Sequence, residues 1–572
     1  KTPYFGYNLA KMRCFYYEIQ GEKKAYKLLT LFMVIFLFLI YRMVKFQIFD
    51  AEKLTTMAES QYAYEEDTKD NKYKLLDTKG NDLLKYKEKY YAVLVPSAFK
   101  DNKEEKDEEK LLTIMYILRN YNEKYDITQN QTIDSSGKNY YEIDKITYEK
   151  LKDIKGVKGF YTYKKQEVDK NINDKKEAWK LENMLLNPYK NDQKTFKDKE
   201  SLEMRIYNRV KDNKTSKIIY KKDLQGEIIS KETEEPKSNI NPKLTLDSKV
   251  QDSIRKILNK KEYKAFNQVG VILSESESGK IRAMVQKDET LPNVNIGAAT
   301  QNGFPPGSIF KIITEEAALE NNKVSLKDSF KCTGEFESNK KGTHGSFSTK
   351  EAFIVSCNDI FSQIGRKAGF ENIDNMVKKH GLYRKVLDLH YEQQGAIQME
   401  KRGKPNLSDG TLSLVSFGQL IRITPIEAVS MVSTVVNNGV YVKPYVLESF
   451  VDDKNNTIEE FNTTKEQIIG TYSANSLKDQ MKEVVKRGTA ALAYDSSIEI
   501  GGKTGTNERQ EVNDKGKMEH LSDAWFVGFF KSNNKYYTMV VFIPKIKTKG
   551  ESAGTTSVPI FYDIVKEIKD SI

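Results

Sequence analysis

Apolar and polar positions alternate differently in different parts of this chain. One stretch, Leu28 to Tyr41 (LLTLFMVIFLFLIY), is apolar without interruption. As a helix its fourteen residues would cover about 21 Å, short of a bilayer core of roughly 30 Å, but it lengthens to Ala25–Phe46 if Lys27, Arg42 and Lys45 reach for the interfaces. Farther on, Tyr90–Val95 reads as a strand, and Glu108–Tyr121 carries apolar residues at helical spacing. Acid–base runs near Lys100–Lys110 and Lys190–Lys199 read as exposed loops or solvated helices. From Asn241-Pro242 the texture changes. Val250–Leu258 predicts an amphipathic helix, Val269–Leu273 and Ile281–Val285 two strands, and Ser276–Lys280 with Gly279 the hairpin turn between them. Helical runs follow at Ile312–Glu320 and Lys350–Val355. Strand-like runs come at Ile498–Ile500, Asp523–Phe530 and Tyr536–Ile543, and a closing helix at Ser557–Ile572. Strands at both ends with helices between them predict a sheet covered by helices, an α/β or α+β domain.

Length and composition sharpen this outline. At 572 residues the chain exceeds one core, so two or three domains are expected. With 30% charged and 38% hydrophobic residues it reads as folded domains, neither disordered nor spanning a membrane many times. The net charge of +11 is spread through mixed Lys/Glu/Asp runs with no Arg-rich stripe, which excludes a nucleic-acid role. Lys1, Lys11, Arg13, Lys23, Lys24 and Lys27 precede the apolar span, and no small-residue cleavage site follows it. The span is therefore expected to be an uncleaved, single-pass anchor with the N-terminus cytoplasmic and everything after about residue 47 outside. Three cysteines do not make a disulfide scaffold: Cys14 falls on the cytoplasmic side, Cys332 and Cys357 outside.

The chemistry gathers in three short motifs. In Pro305-Pro306-Gly307-Ser308-Ile309-Phe310-Lys311 the prolines stiffen the approach, Gly307 allows a tight turn, and a helix is expected to start at or beside Ser308. Lys311, at i+3, comes round to the Ser308 face, and a lysine with a depressed pKa can take a serine proton. Alone, such a tetrad reads equally as an N-cap Ser with a solvated Lys. Ser356-Cys357-Asn358 follows a helical run, and Gly502-Lys503-Thr504-Gly505-Thr506 a strand-like one, where glycine lets a substrate lie along the backbone and Lys503 offers a cation to a carboxylate. S-x-x-K, S-x-N and K-T-G in this order are the signature of penicillin-binding proteins and serine β-lactamases.

Beyond the triple, the chain resembles a class B penicillin-binding protein. Leu244-Thr245-Leu246-Asp247 resembles that family's entry to the transpeptidase domain, and Gly270–Leu273 with Gly279–Val285 its first hairpin. Ser416-Phe417-Gly418-Gln419 with Thr424-Pro425-Ile426-Glu427-Ala428 resembles the helix before the third motif, and Ala524-Trp525-Phe526-Val527-Gly528 the strand after it. The match covers residues 241–572. Upstream it is faint: Leu76-Asp77-Thr78-Lys79-Gly80 resembles an arginine-glycine-rich segment, with Lys72-Tyr73 where Arg-Gly is usual.

The resemblance implies a cytoplasmic tail at 1–24, an anchor at 25–46, an elongated α+β pedestal at 47–240 and a transpeptidase domain at 241–572. It implies a peptidoglycan D,D-transpeptidase that takes stem peptides, is the target of β-lactams, needs no cofactor, and works in the cell membrane beside a SEDS-family glycosyltransferase. Ser308 is then the nucleophile, Lys311 the base, Ser356 the proton relay and Asn358 the orienting amide. Lys503, Thr504, Gly505 and Thr506 hold the donor carboxylate, with the backbone N–H groups of Ser308 and Thr506 as the oxyanion hole. A D,D-carboxypeptidase, which usually carries a C-terminal amphipathic anchor, and an inactive scaffold are the rival readings. No Glu-x-x-x-Asn element stands between the second and third motifs to supply the deacylating base of a β-lactamase.

Cys332, His344 and Cys357 also form an ordered set of zinc-ligand types, with an acid such as Asp359 as fourth ligand. Class B enzymes from some anaerobes look similar here and bind Zn²⁺ beside the active site, usually with one more cysteine, which Glu335–Gly342 lacks. Zinc, free thiols and a Cys332–Cys357 disulfide all stay open at this point.

Overall fold

A computed structural model describes residues 27–45, 47, 62–100, 102, 105–127, 137–169, 179–190, 194–223, 226–336, 343–397, 409–512, 518–547 and 550–572. The expected tail at 1–24 with Cys14, and the ends of the expected span at Ala25 and Phe46, lie outside the described residues. Within them α1 (Lys27–Val44) is long and apolar enough to cross a membrane, and none of it is buried among the described residues.

The chain folds into two compact units that interleave in sequence: 1–70, 88–166 and 215–235 form one, and 71–87, 167–214 and 236–572 the other. Packing therefore shares the stretch 47–240 between both units.

The first unit has two three-stranded sheets. β1 (Ala63–Asp67) pairs antiparallel with β5 (Lys217–Lys222), which pairs with β6 (Ile228–Glu234). β2 (Tyr86–Leu94) lies between β3 (Asn139–Ile143) and β4 (Phe160–Val168). The two-residue period of β2 serves two cores: Ala92 and Leu94 pack with Ile114 and Leu118 of α2 (Glu105–Tyr121), while Val93 packs with Tyr161 and Ile218.

The second unit is built on a five-stranded antiparallel sheet. β8 (Gly270–Glu275) and β9 (Ile281–Gln286) form the predicted hairpin, with Gly279 at φ +74° in its turn. β10 (Ile500–Val512), β11 (Met518–Ser532) and β12 (Lys535–Lys547) complete the order β10-β11-β12-β8-β9. These strands run longer than their apolar cores suggested, and β10 contains the third motif itself rather than preceding it. The sheet is covered in part by α3 (Ser248–Leu258), whose apolar side faces the core, and α10 (Ser557–Ile568), which packs against α3 and the central strands. Between the hairpin and β10 come α4 (Lys311–Glu320), α5 (Thr349–Val355), α6 (Asn358–Ala368), α7 (Phe370–Lys379), α8 (Pro425–Val436) and α9 (Thr471–Arg487). The early segment 71–87 joins this unit by backbone pairing with β7 (Asn241–Leu244): Leu76 N donates to Pro242 O (2.9 Å) and Leu244 N to Leu76 O (2.8 Å). The Ser248 hydroxyl donates to Asp77 Oδ2 (2.7 Å).

Candidate active site

The turn that carries Ser308 is shaped by three backbones pressed together. Gly307–Phe310 forms a 3-10 turn, and α4 begins only at Lys311. Ser308 thus sits in a 3-10 turn that runs straight into the α-helix, beside its start as expected, and Gly307 at φ +54° turns the chain into it. A Cβ on Gly307 would meet Thr506 O of β10 at 2.9 Å, and one on Gly418 would meet Gly307 O at 2.1 Å. Trp525 Nε1 donates to Pro305 O (3.0 Å), tying the approach to β11. Ser308 is half-buried, open to solvent on one side.

Behind it the charged groups are closed in. Lys311 and Lys503 are both fully buried. Lys311 Nζ donates to Ser356 O (2.6 Å), Ser356 Oγ (3.2 Å) and Asn358 Oδ1 (2.6 Å). The Ser308 hydroxyl points at the same Asn358 Oδ1 (3.5 Å), so hydroxyl and amine share one acceptor. Lys503 Nζ donates to Ser356 Oγ from the other side (2.7 Å) and to Thr504 O (3.3 Å). Ser356 reaches both amines because it sits at φ +62° between α5 and α6, a left-handed position that turns the chain back on itself. Asn358 Nδ2 donates to Phe336 O (3.3 Å), which sets its oxygen toward Lys311. Burial holds Lys503 well below the usual lysine range, Lys311 pushes it the same way, and Glu315 opposes them.

Ser308, Lys311, Ser356, Asn358 and Lys503 thus converge. Of the remaining third-motif residues, Thr504 bonds Thr489 through their hydroxyls (2.5 Å). Gly505 lies against Pro306 O, where a Cβ would come within 2.5 Å. Thr506 is exposed, and its Oγ1 accepts from Ala553 N (3.1 Å). Two residues behind the site were not singled out in the sequence. Glu315, one turn beyond Lys311 on α4, is fully buried, and Gln480 of α9 donates to its Oε1 (2.5 Å). The signal available was an acidic pair, Glu315-Glu316, inside an otherwise apolar helix.

The ligand atoms of Cys332, His344 and Cys357 lie within 4.8 Å of one another, with both thiols buried and the imidazole exposed. The two cysteines are unbonded to each other. Asp359 does not join them: one carboxylate oxygen accepts from Thr333 N and the other from the Thr333 hydroxyl (3.1 Å), so the acid suggested as fourth ligand is turned to a neighbouring backbone instead. Cys357 Sγ also caps α6, accepting from Ile360 N (3.5 Å).

A family described as penicillin binding protein transpeptidase domain matches residues 269–566. The chain is 30% identical over 354 residues to stage V sporulation protein D of Bacillus subtilis, covering 58% of this chain and 54% of that protein. It spans about half the length of the curated relatives it matches. Among solved structures it resembles a chain of a peptidoglycan synthase complex (17% identity, TM-score 0.63, 95% of this chain and 98% of that one). It also resembles penicillin-binding protein 3 of Mycobacterium tuberculosis complexed with aztreonam (19% identity, TM-score 0.51, 59% and 80%). These likenesses establish the fold.

Proposed function

The chain belongs to the penicillin-binding protein transpeptidase family, in its class B branch, and from that premise we propose that it is a peptidoglycan D,D-transpeptidase acting through an acyl-enzyme on Ser308. The observation that carries the reading is the Ser356 hydroxyl held between two buried lysine amines, with Asn358 Oδ1 shared by Lys311 and Ser308. Lys311 as neutral amine takes the Ser308 proton while Oγ attacks the carbonyl between the two terminal D-alanines of a stem peptide. Ser356 passes a proton to the departing amine, and D-alanine leaves. The backbone N–H groups of Ser308 and Thr506 stabilise the oxyanion; one such donor is worth about 3 kcal/mol in the transition state. Lys503, Thr504, Gly505 and Thr506 receive the donor carboxylate, or that of a β-lactam. An amine of a second strand then attacks the acyl carbon, forms the crosslink and releases Ser308. This chemistry needs no cofactor.

In this reading residues 241–572 are the transpeptidase domain, 47–240 the pedestal, and 25–46 a single-pass anchor with residues 1–24 cytoplasmic and the catalytic domain outside. The partner is a SEDS-family glycosyltransferase in the same membrane. Labelling by a fluorescent penicillin should be complete for the full chain and lost in Ser308→Ala. A wild-type chain that takes no label while a control enzyme does would sink the assignment. A donor peptide supplied with an acceptor amine should give crosslinked product; release of D-alanine with water as the sole acceptor would make it a carboxypeptidase instead.

The Cys332, His344 and Cys357 cluster fits a tetrahedral zinc with one position left to solvent, since two thiolates and an imidazole are that ion's preferred donors and their atoms already lie close. Bound there, zinc would tie the strand-like segment carrying Cys332 to the second motif through Cys357, a clamp beside Ser356 and Asn358 rather than a reactant. Elemental analysis of protein purified under reducing conditions should find close to one zinc per chain, falling in Cys332→Ser. A metal-free wild-type preparation removes the site.

A further inference from the structure

Thr489 stands just past the C-terminus of α9, outside all three motifs, and its hydroxyl lies 2.5 Å from that of Thr504 on β10. Its backbone is held from three sides. A Cβ on Gly488, before it, would come within 2.7 Å of Ile354 O on α5, two residues short of Ser356. Ala490 N, after it, donates to Val484 O of α9 (3.2 Å). Gly554 packs against it from the loop between β12 and α10, where a Cβ would meet Thr489 O at 2.6 Å. The next residue back in that loop, Ala553, donates its N–H to Thr506 Oγ1 (3.1 Å). One short loop therefore braces both Thr489 and the last residue of the third motif.

Counting protons shows what this cluster lacks. Two hydroxyls carry two protons, and the bond between Thr489 and Thr504 uses one of them. The other has no acceptor among the described residues. Thr506 receives the Ala553 N–H on its oxygen, and its own proton likewise has no acceptor among them. Thr504 and Thr506 are two apart on one strand and so share a face, and Lys503 Nζ, donating to Thr504 O (3.3 Å), adds a cation at the same place. Surplus donors beside a cation call for a ligand that only accepts, and a carboxylate has two oxygens to offer. Within the hydroxyl pair the two ends differ. Thr504 is 6% exposed, whereas Thr489 is exposed, so the end that faces an arriving anion is the Thr489 hydroxyl.

Resting on the transpeptidase reading above, we propose that Thr489 is a further substrate-binding residue. Thr504 donates to its Oγ1, and its own hydroxyl donates to the terminal carboxylate of the donor stem peptide. The carboxylate subsite then extends past the third motif onto the end of α9, and Thr489 helps to select donors that end in a free acid.

The test measures second-order acylation of the full chain in detergent, with benzylpenicillin and with its methyl ester, which lacks the charged carboxylate. Thr489→Val keeps the shape and removes only the hydroxyl. The preference for the free acid over the ester should fall about tenfold, the scale of one hydrogen bond to a charged group. Thr489→Ser, which restores the hydroxyl, should recover it. A merely structural role would slow both compounds together and leave their ratio alone. An acid-to-ester ratio in Thr489→Val within about twofold of wild type, or a Thr489→Ser ratio as low as that of Thr489→Val, would overturn the inference and leave the enzyme reading intact. A wild type acylated by neither compound overturns both. Should Thr489→Val fail to fold, Thr489→Ala removes the hydroxyl without adding bulk, and its ratio is read in the same way.

Discussion

Ser308 owes its position to atoms that are not there. Gly418 has φ +86° and its missing Cβ would overlap Gly307 O at 2.1 Å, while Gly307 in turn lies against Thr506 O. Gly418→Ala should therefore push the nucleophile's turn toward β10. A displacement of about 1 Å costs on the order of 100-fold in rate, and the strained backbone a further 1–3 kcal/mol or so of stability. Penicillin acylation measured beside thermal unfolding checks this, and a rate within about threefold of wild type would contradict the packing described. The residues of the three motifs were legible because each motif is local: spacing alone places Lys311 after Ser308 and Asn358 after Ser356. Glu315 and Gln480 were not legible, being 165 positions apart and adjacent only once α4 and α9 pack.

Helix α8 carries its own pH dependence. Thr424 and Glu427 form a capping box, and Glu427 accepts from Thr424 N (2.7 Å), the Thr424 hydroxyl (3.0 Å) and Gly395 N (2.8 Å). Burial nevertheless raises Glu427 to about 8 and its neighbour Glu392 to about 7. A carboxyl whose folded pKa lies above its unfolded value binds protons more tightly when folded. Its contribution is full below the ordinary carboxylate range and is lost as pH rises through about 8. Glu427→Gln cannot accept from all three donors and should lose about 1–3 kcal/mol at pH 6. Because the amide does not titrate, the difference in Tm from wild type should shrink between pH 6 and pH 9, as followed by circular dichroism. A constant difference would show that Glu427 stays in one protonation state. At this scale the alternation of apolar residues announced β8, β9, β11 and β12, but not their full lengths. The outer residues of these strands are polar and are held by ladder hydrogen bonds that their own sequence does not reveal.

For the whole molecule, two units with separate cores should unfold separately. Calorimetry of the full chain is expected to show two transitions, and acylation by a β-lactam should raise only the one belonging to the unit with Ser308, an effect absent in Ser308→Ala. One cooperative transition, or a ligand shift in both, would count against this division. The partition itself was hidden in the sequence. Lys/Asn-rich texture runs evenly through 47–240, and only long-range pairing, such as Leu76 with Pro242 and Leu244, assigns 71–87 to the unit holding the active site.

That pairing also orders events during synthesis. Every residue of the first unit has been synthesised once position 235 is made, so that unit can begin to fold while later parts of the chain are still being translated. Residues 71–87 and 167–214 are made early but belong to the later unit, and complete their long-range pairing, such as Leu76 with Pro242 and Leu244, only when the chain beyond 236 arrives. The groove around Ser308 is thus completed last, by a chain that must take up two segments made well before it.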